Sequence, residues 1–215
     1  MSGDFRRYSA VDVLLGHIDR GLNNIFCRQH SQREYPAAEL DERVTAADDR
    51  RRVAGLMRVN HAGEMAAQAL YHGQSLTARD SALRDKLLHA SQEESDHLNW
   101  CRSRLDELDA KPSLLDPLWY GGSLLIGVAA GVAGDRWNLG FLAETEHQVV
   151  RHLDNHLQRL PEEDLRSRAI VQQMRSDELG HAELAEELGA ARLPAPIRRI
   201  MRLTSKVMTV LAQRI

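Results

Sequence analysis

Glu94-Ser95-Asp96-His97 and Glu178-Leu179-Gly180-His181 repeat one pattern, a glutamate three residues ahead of a histidine, in the two halves of the chain. Each pair lies in the apolar stripe of a segment with helical spacing, at positions where the pattern calls for a hydrophobic residue. Residues three apart share a helix face, so each glutamate projects beside its histidine. Each pair also follows a lone glutamate on another apolar stripe: Glu64 precedes Glu94 by 30 residues, and Glu146 precedes Glu178 by 32. Four acids and two histidines turned to one interior are too costly to bury as bare charges. A dinuclear metal centre in a four-helix bundle satisfies all six at once. Glu64, Glu94, His97, Glu146, Glu178 and His181 are therefore the candidate ligands.

The periodicity around these residues predicts four long helices. The first, about 49–78, carries Val53, Leu56, Met57, Asn60, Glu64, Ala67, Leu70 and Tyr71 on one stripe. The second, about 80–109, carries Leu83, Leu87, Ala90, Glu94, His97, Cys101 and Leu105. The third, about 135–160, aligns Leu139, Leu142, Glu146, Val149, Val150 and Leu153. The fourth, about 162–189, aligns Leu165, Ile170, Met174, Glu178, His181 and Ala185. A further helix over 9–28, with Val11, Leu14, Leu15, Ile18, Leu22, Ile25 and Phe26, precedes a polar linker containing Pro36. The expected organisation is an N-terminal helix and linker over 1–48, a bundle over 49–190, and a basic C-terminal helix over 191–215.

Two segments fall outside the bundle pattern. The crossover 114–134 includes Pro117–Gly134, which has no charged residue but five glycines. A spanning helix needs ~20 apolar residues, so this stretch reads as a partly helical crossover facing core or lipid. Ile197–Ile215 carries Arg198, Arg199, Arg202, Lys206 and Arg214 with no acid, interleaved with Ile200, Met201, Val207, Met208 and Leu211. That mixture suits a helix lying on an anionic membrane surface; packing on the bundle or on a second subunit suits it equally.

Composition agrees with an all-α protein: 215 residues, 43% hydrophobic, with 6 prolines. A net charge of −3 supplies no whole-chain argument for nucleic acid. Cys27 and Cys101 are too few and too isolated for a disulfide framework, which favours a reducing compartment. Asp4, Arg6 and Arg7 with no apolar run ahead of Asp12 predict no secretory signal.

One glutamate–histidine pair would prove little, because the chain's glutamates and 10 histidines give ~0.7 such pairs by chance. A third pair, Glu144 with His147, also fits the spacing. It shares its face with Trp137, Phe141 and Arg151, whereas Glu146 shares the Leu139–Leu142–Leu153 stripe, so Glu146 is the candidate ligand. Carboxylates bridge cations, and imidazole suits iron while leaving coordination positions open for dioxygen. No cysteine occupies any of the six positions, which sets aside zinc-finger and iron–sulfur sites. Buried ion pairs across a coiled bundle are the bland alternative, but two matched halves would then have to arise without a ligand. Asp96 and Asp177 are candidates to hold the imidazoles from behind, or else solvated acids. Tyr71 reads as core near the metals. His61 reads as a neighbour of the site or a cap for another helix. His152 and His156 read as surface residues, with one of them a candidate for a substrate channel.

Asn60-His61-Ala62-Gly63-Glu64, Glu93-Glu94-Ser95-Asp96-His97, Glu146 with His152 downstream, and Asp177-Glu178-Leu179-Gly180-His181 together resemble the demethoxyubiquinone hydroxylase family. The resemblance runs from about residue 50 to the C-terminus. Helix three departs from the family pattern, reading Glu144-Thr145-Glu146-His147 where the family often has adjacent acids. The resemblance implies a ferritin-like fold and two irons: Glu64, Glu94 and His97 on one, Glu146, Glu178 and His181 on the other, with Glu94 and Glu178 bridging. It further implies a diiron monooxygenase of ubiquinone biosynthesis that hydroxylates the ring of a polyprenyl benzoquinol with dioxygen and an external reductant. NADH is one such reductant, although no dinucleotide-binding fingerprint is present. The implied location is peripheral, on the cytoplasmic side of the cell's inner membrane, without nucleic acid; a homo-oligomer or a lipid-delivering helper protein fits the apolar crossover.

A ferroxidase uses the same ligand set, but the uncharged crossover and basic tail argue against it. A rubrerythrin-like peroxidase would need a cysteine-rich iron site. A tRNA hydroxylase on this scaffold would want a basic face at the metal mouth, and a metal-free helical module remains the non-enzymatic reading. Protein purified from iron-replete cells is expected to carry stoichiometric iron by elemental analysis; a metal-free module would carry none.

Overall fold

A computed structural model describes residues 10–28 and 30–215, with the side chains of some residues near the start of the first helix left aside. The expectations placed on residues 1–9, and on the side chains of Val11, Leu14 and Ile18, lie outside the described residues. Seven helices follow one another: α1 (Ala10–Phe26), α2 (Ala47–Thr77), α3 (Ser81–Glu107), α4 (Asp116–Val132), α5 (Asp135–Arg159), α6 (Leu165–Glu187) and α7 (Ala195–Ala212), with no strand among the described residues. Each anticipated helix is present, its ends within a few residues of those read from periodicity.

α2 pairs with α3 and α5 pairs with α6, and the two hairpins close into a four-helix bundle. The chain's own acids start two of these helices. Asp80 accepts from the backbone N–H groups of Ala82 and Leu83 at 2.7 and 3.1 Å, and Asp164 accepts from that of Ser167 at 3.0 Å. Such caps satisfy amides that no helical carbonyl can reach. Asp164 also receives Arg104 at 3.0 Å, a fully buried guanidinium that binds Ser167, Glu42 and Glu107 as well. Arg104 thereby ties α3 to the start of α6 and to the linker after α1.

The core has two apolar layers. One, at the end where Arg104 sits, stacks Leu56, Met57, Trp100, Leu105, Leu153, Ile170 and Met174. The other stacks Tyr71, Leu83, Leu87, Leu139, Leu142 and Ala185. Between them, at mid-bundle, lie the candidate ligands.

The crossover is helical throughout rather than in part. α4 packs along α2 at backbone contact, and glycine makes this possible. A Cβ on Gly73 would stand 2.2 Å from the carbonyl oxygen of Leu124, and one on Gly127 would stand 2.2 Å from that of Leu70. The other face of α4 leaves Leu118, Leu125 and Val132 exposed. No helix is long and apolar enough to cross a membrane among the described residues. α7 returns across α2 and α5 and closes the side of the bundle opposite α3 and α6. Gly127→Val should separate α4 from α2 and cost about 1–3 kcal/mol through overpacking, read as a lowered midpoint in thermal unfolding.

Candidate metal centre

Glu64 comes from the middle of α2, Glu94 and His97 from α3, Glu146 from α5, and Glu178 and His181 from α6. Five of the six have at most 3% of their surface exposed, and only His181 is partly open. Four converge tightly: Glu64, Glu94, His97 and Glu178 each offer one ligand atom within 4.8 Å of the others, a spacing that a metal ion could bridge. His97 Nδ1 sits 3.1 Å from Glu94 Oε2, 3.1 Å from Glu178 Oε1 and 3.4 Å from Glu64 Oε2. His181 Nδ1 lies beside the same bridge, 3.1 Å from Glu178 Oε2 and 3.7 Å from Glu94 Oε1. Glu146 stands at the edge of the group, accepting a hydrogen bond from the Tyr71 hydroxyl and touching Glu178.

Proton occupancy follows from burial and crowding. Burial, then repulsion from Glu94 and Glu178, pushes the Glu64 carboxyl well above its usual range despite the pull of His97. Glu146 rises likewise, through burial and the neighbouring Glu178. Burial would also raise Glu178, but hydrogen bonds from His181 and His97 outweigh it and hold the carboxylate well below its usual range. Burial alone would lower both imidazoles. The surrounding acids reverse this, raising His97 well above its usual value and His181 to about 11. Crowding thus favours the neutral form of Glu64 and Glu146 and the charged form of both imidazoles.

Of the buried carboxylate oxygens, Glu94 Oε1 and Glu146 Oε2 have no hydrogen-bond partner, and Glu178 Oε1 has only the His97 imidazole beside it, at 3.1 Å. A buried acceptor left unpaired carries a desolvation cost of about 1–3 kcal/mol. Bound cations would satisfy all three, and the donor set of four carboxylates and two imidazoles suits iron or manganese.

Each histidine is held from behind by an acid of the opposite helix. His97 Nε2 lies 2.9 Å from Asp177 Oδ2, and His181 Nε2 lies 3.1 Å from Glu93 Oε2. These acids immediately precede Glu178 and Glu94, so the motif on each helix supplies an inner glutamate and an outer support for the other. Asp177 meets its expected role; Glu93 was not singled out, although the symmetry of the two motifs pointed to it. Asp96 holds no imidazole. It is buried and accepts from Ser31, the backbone of Gln32, and Arg33, because the linker after α1 folds back over α3. Arg33 also escaped the sequence reading, since no periodicity marks a linker residue.

The remaining candidates separate clearly. Glu144 bonds Gln148 and lies 3.6 Å from Arg151, while His147 binds Glu186 at 2.8 Å, both on the flank. His61 lies 3.2 Å from the Asp116 carboxylate in the first turn of α4, a side-chain contact rather than a helix cap. His156 is fully buried rather than on the surface, and His152, half-buried with its ring 3.9 Å from that of His156, lines the cavity between α5 and α7, as a channel residue would. Burial lowers His152 to about 4 and His156 to about 2, so both are neutral near pH 7.

Fold and cluster together define a ferritin-like helical bundle with an internal carboxylate–histidine site. Residues 51–212 match the family model described as Ubiquinone biosynthesis protein COQ7. The chain is 57% identical over 199 residues to a protein of Chromobacterium violaceum named 3-demethoxyubiquinol 3-hydroxylase, spanning 93% of this chain and 97% of that one. Relatives of the same name from Laribacter hongkongensis and Xanthomonas oryzae pv. oryzae are 53% and 50% identical over 92% and 98% of this chain, and 96% and 97% of theirs. The chain belongs to the COQ7 family.

Metal binding requires neutral imidazole and ionised carboxylate. Anaerobic addition of ferrous iron should therefore release protons, measured by pH-stat, from the groups held above their usual range, His97, His181, Glu64 and Glu146. Because all four folded-state values are raised, iron affinity should fall steadily as the pH drops.

Proposed function

We propose that this chain is a diiron monooxygenase that hydroxylates the ring of a polyprenylated demethoxyubiquinol, a step of ubiquinone biosynthesis, at a membrane surface. The observation that carries the reading is an apolar cavity of about 560 Å³ between α2, α4, α5 and α7, whose wall includes Glu64. Val59, Ala67, Leu70, Trp119, Phe141 and Met201 also line it. A ferroxidase would need a hydrophilic path for iron; a greasy chamber against a candidate ligand suits a lipid-tailed ring. The names of the relatives supply the substrate, and the cavity supplies the reason this chain could take it.

Glu64, Glu94 and His97 would hold one iron, and Glu146, Glu178 and His181 the other, with Glu94 and Glu178 shared between them. Bound iron would supply dioxygen activation. An external reductant such as NADH provides two electrons and one proton, and solvent provides the second proton; one oxygen atom replaces a ring hydrogen as hydroxyl, and the other leaves as water. The chain's residues do the rest. Asp177 and Glu93 keep both imidazoles oriented with Nδ1 inward. Tyr71 anchors Glu146 through its hydroxyl. The apolar walls align the ring, hold the isoprenoid tail and exclude water from the chemistry. His152, neutral and on the cavity wall, offers the ring hydroxyl a hydrogen-bonding partner.

The membrane reading rests on α7. Ile197 and Ile200 line the cavity and are also 38% and 63% exposed, so the chamber opens at this helix. Leu203, Val207 and Val210 extend the exposed apolar surface, and Arg198, Arg199, Arg202 and Lys206 border it. Such a face lies in an interface rather than across a bilayer. Purified protein given iron, reductant, oxygen and demethoxyubiquinol in anionic vesicles should yield the hydroxylated quinol, detected by mass spectrometry with one ¹⁸O incorporated from labelled dioxygen. Iron-loaded protein that leaves the quinol unchanged, or incorporates oxygen from water, would refute the reading.

A further inference from the structure

The two halves of the centre repeat each other in motif, yet their outer supports differ. Behind His97, Asp177 Oδ2 also receives Arg33 Nη1 at 2.8 Å, while Arg33 Nε reaches Asp96 Oδ2 at 2.8 Å. Asp96 in turn accepts from the Gln32 backbone at 2.7 Å and from Ser31 Oγ at 3.0 Å. The guanidinium lies 4.6 Å from the centre of the Trp100 ring, and Trp100 is itself 5.3 Å from the His97 ring. One linker arginine thus bridges an acid of α3 and an acid of α6 and closes the outer side of His97. Behind His181, Glu93 has the exposed His89 beside it, at 3.3 Å, and among the described residues no arginine pairs with it directly, Arg33 acting on it only from a distance. The family match begins at residue 51, so this strap lies outside the stretch that defines the family.

We infer that Arg33 is a positioning residue that makes the two metal positions inequivalent, by clamping Asp96 and Asp177 so that His97 has one rigid orientation while His181 keeps a looser, solvent-reachable support. Arg33 Nη2 lies 3.2 Å from His97 Nε2. Both nitrogens are donors when Nε2 bonds Asp177, and the close approach is tolerable because Asp177 Oδ2 accepts from His97 Nε2 and from Nη1 of the same guanidinium. Shared in this way, Asp177 gives less electron density to the imidazole than Glu93 gives to His181, where Arg33 makes no direct contact. The metal bound by His97 should therefore have the firmer geometry and the less basic histidine ligand.

The inference rests on the diiron reading above, and its test separates the two. The full chain, Arg33→Ala and Arg33→Lys are loaded anaerobically with ⁵⁷Fe(II), then followed by Mössbauer spectroscopy and by timed iron release to a chelator, with thermal unfolding as a folding control. The native chain should bind two irons with two resolved quadrupole doublets. Arg33→Ala should shift one doublet and release one iron about tenfold faster, the other remaining as in the native chain. Arg33→Lys, which restores charge without the forked contact, should recover the release rate in part. Native protein that binds no iron would refute the diiron reading itself. Two native irons with both doublets unchanged in Arg33→Ala, or with both irons loosened equally, would overturn the role of Arg33 alone. If Arg33→Ala fails to fold, the Arg33→Lys spectrum decides: both doublets as in the native chain overturns the inference, and a shift in one supports it.

Discussion

Mutual repulsion among Glu64, Glu94, Glu146 and Glu178, sealed at mid-bundle, is the constraint to which the rest of this molecule answers. In water these acids would ionise freely. Here each has at most 3% of its surface exposed, and an uncompensated buried carboxylate is prohibitive. The interior responds by raising the proton affinity of Glu64 and Glu146, by interleaving two imidazoles, and by leaving carboxylate oxygens unpaired where cations would fit. A cluster that costs this much without metal is stabilised by whatever metal satisfies it, so metal binding and folding are thermodynamically linked.

The two apolar layers above and below the cluster make the arrangement affordable to the fold. They come from the same four helices that deliver the ligands, so the geometry of the site is inherited from core packing rather than from loops. Sites built on packed helices hold their side chains to tight tolerances. α4 and α7 add what a bare bundle lacks. The glycine face of α4 lets it lie against α2 at backbone distance, and α7 spans the gap towards α5. Between them they enclose an apolar chamber with Glu64 in its wall.

Each half of the bundle is not self-sufficient. Asp177 on α6 steadies the histidine of α3, and Glu93 on α3 steadies the histidine of α6. This exchange couples the hairpins: displacing either helix loosens the ligand of the other. The linker after α1 breaks the symmetry by contributing Arg33 to one side only.

Sequence periodicity was enough to establish the helices, because a 3.6-residue apolar stripe has few stable alternatives at these lengths. It also singled out all six inward acids and histidines, since a charged residue in an apolar stripe is conspicuous. Placing them was another matter. Spacing along one helix says which side chains share a face, but not which opposing helix meets them, or how far away. Only the packed bundle drew Glu64, Glu94, His97 and Glu178 into one tight group, set Glu146 against Tyr71 at its edge, buried His156 and put His152 on the cavity wall. Likewise, nothing local marks Arg33 or Glu93, whose partners lie 63 or more residues away for one and 88 for the other. Local pattern encodes the faces of helices, whereas contacts between distant residues exist only once the chain has closed on itself.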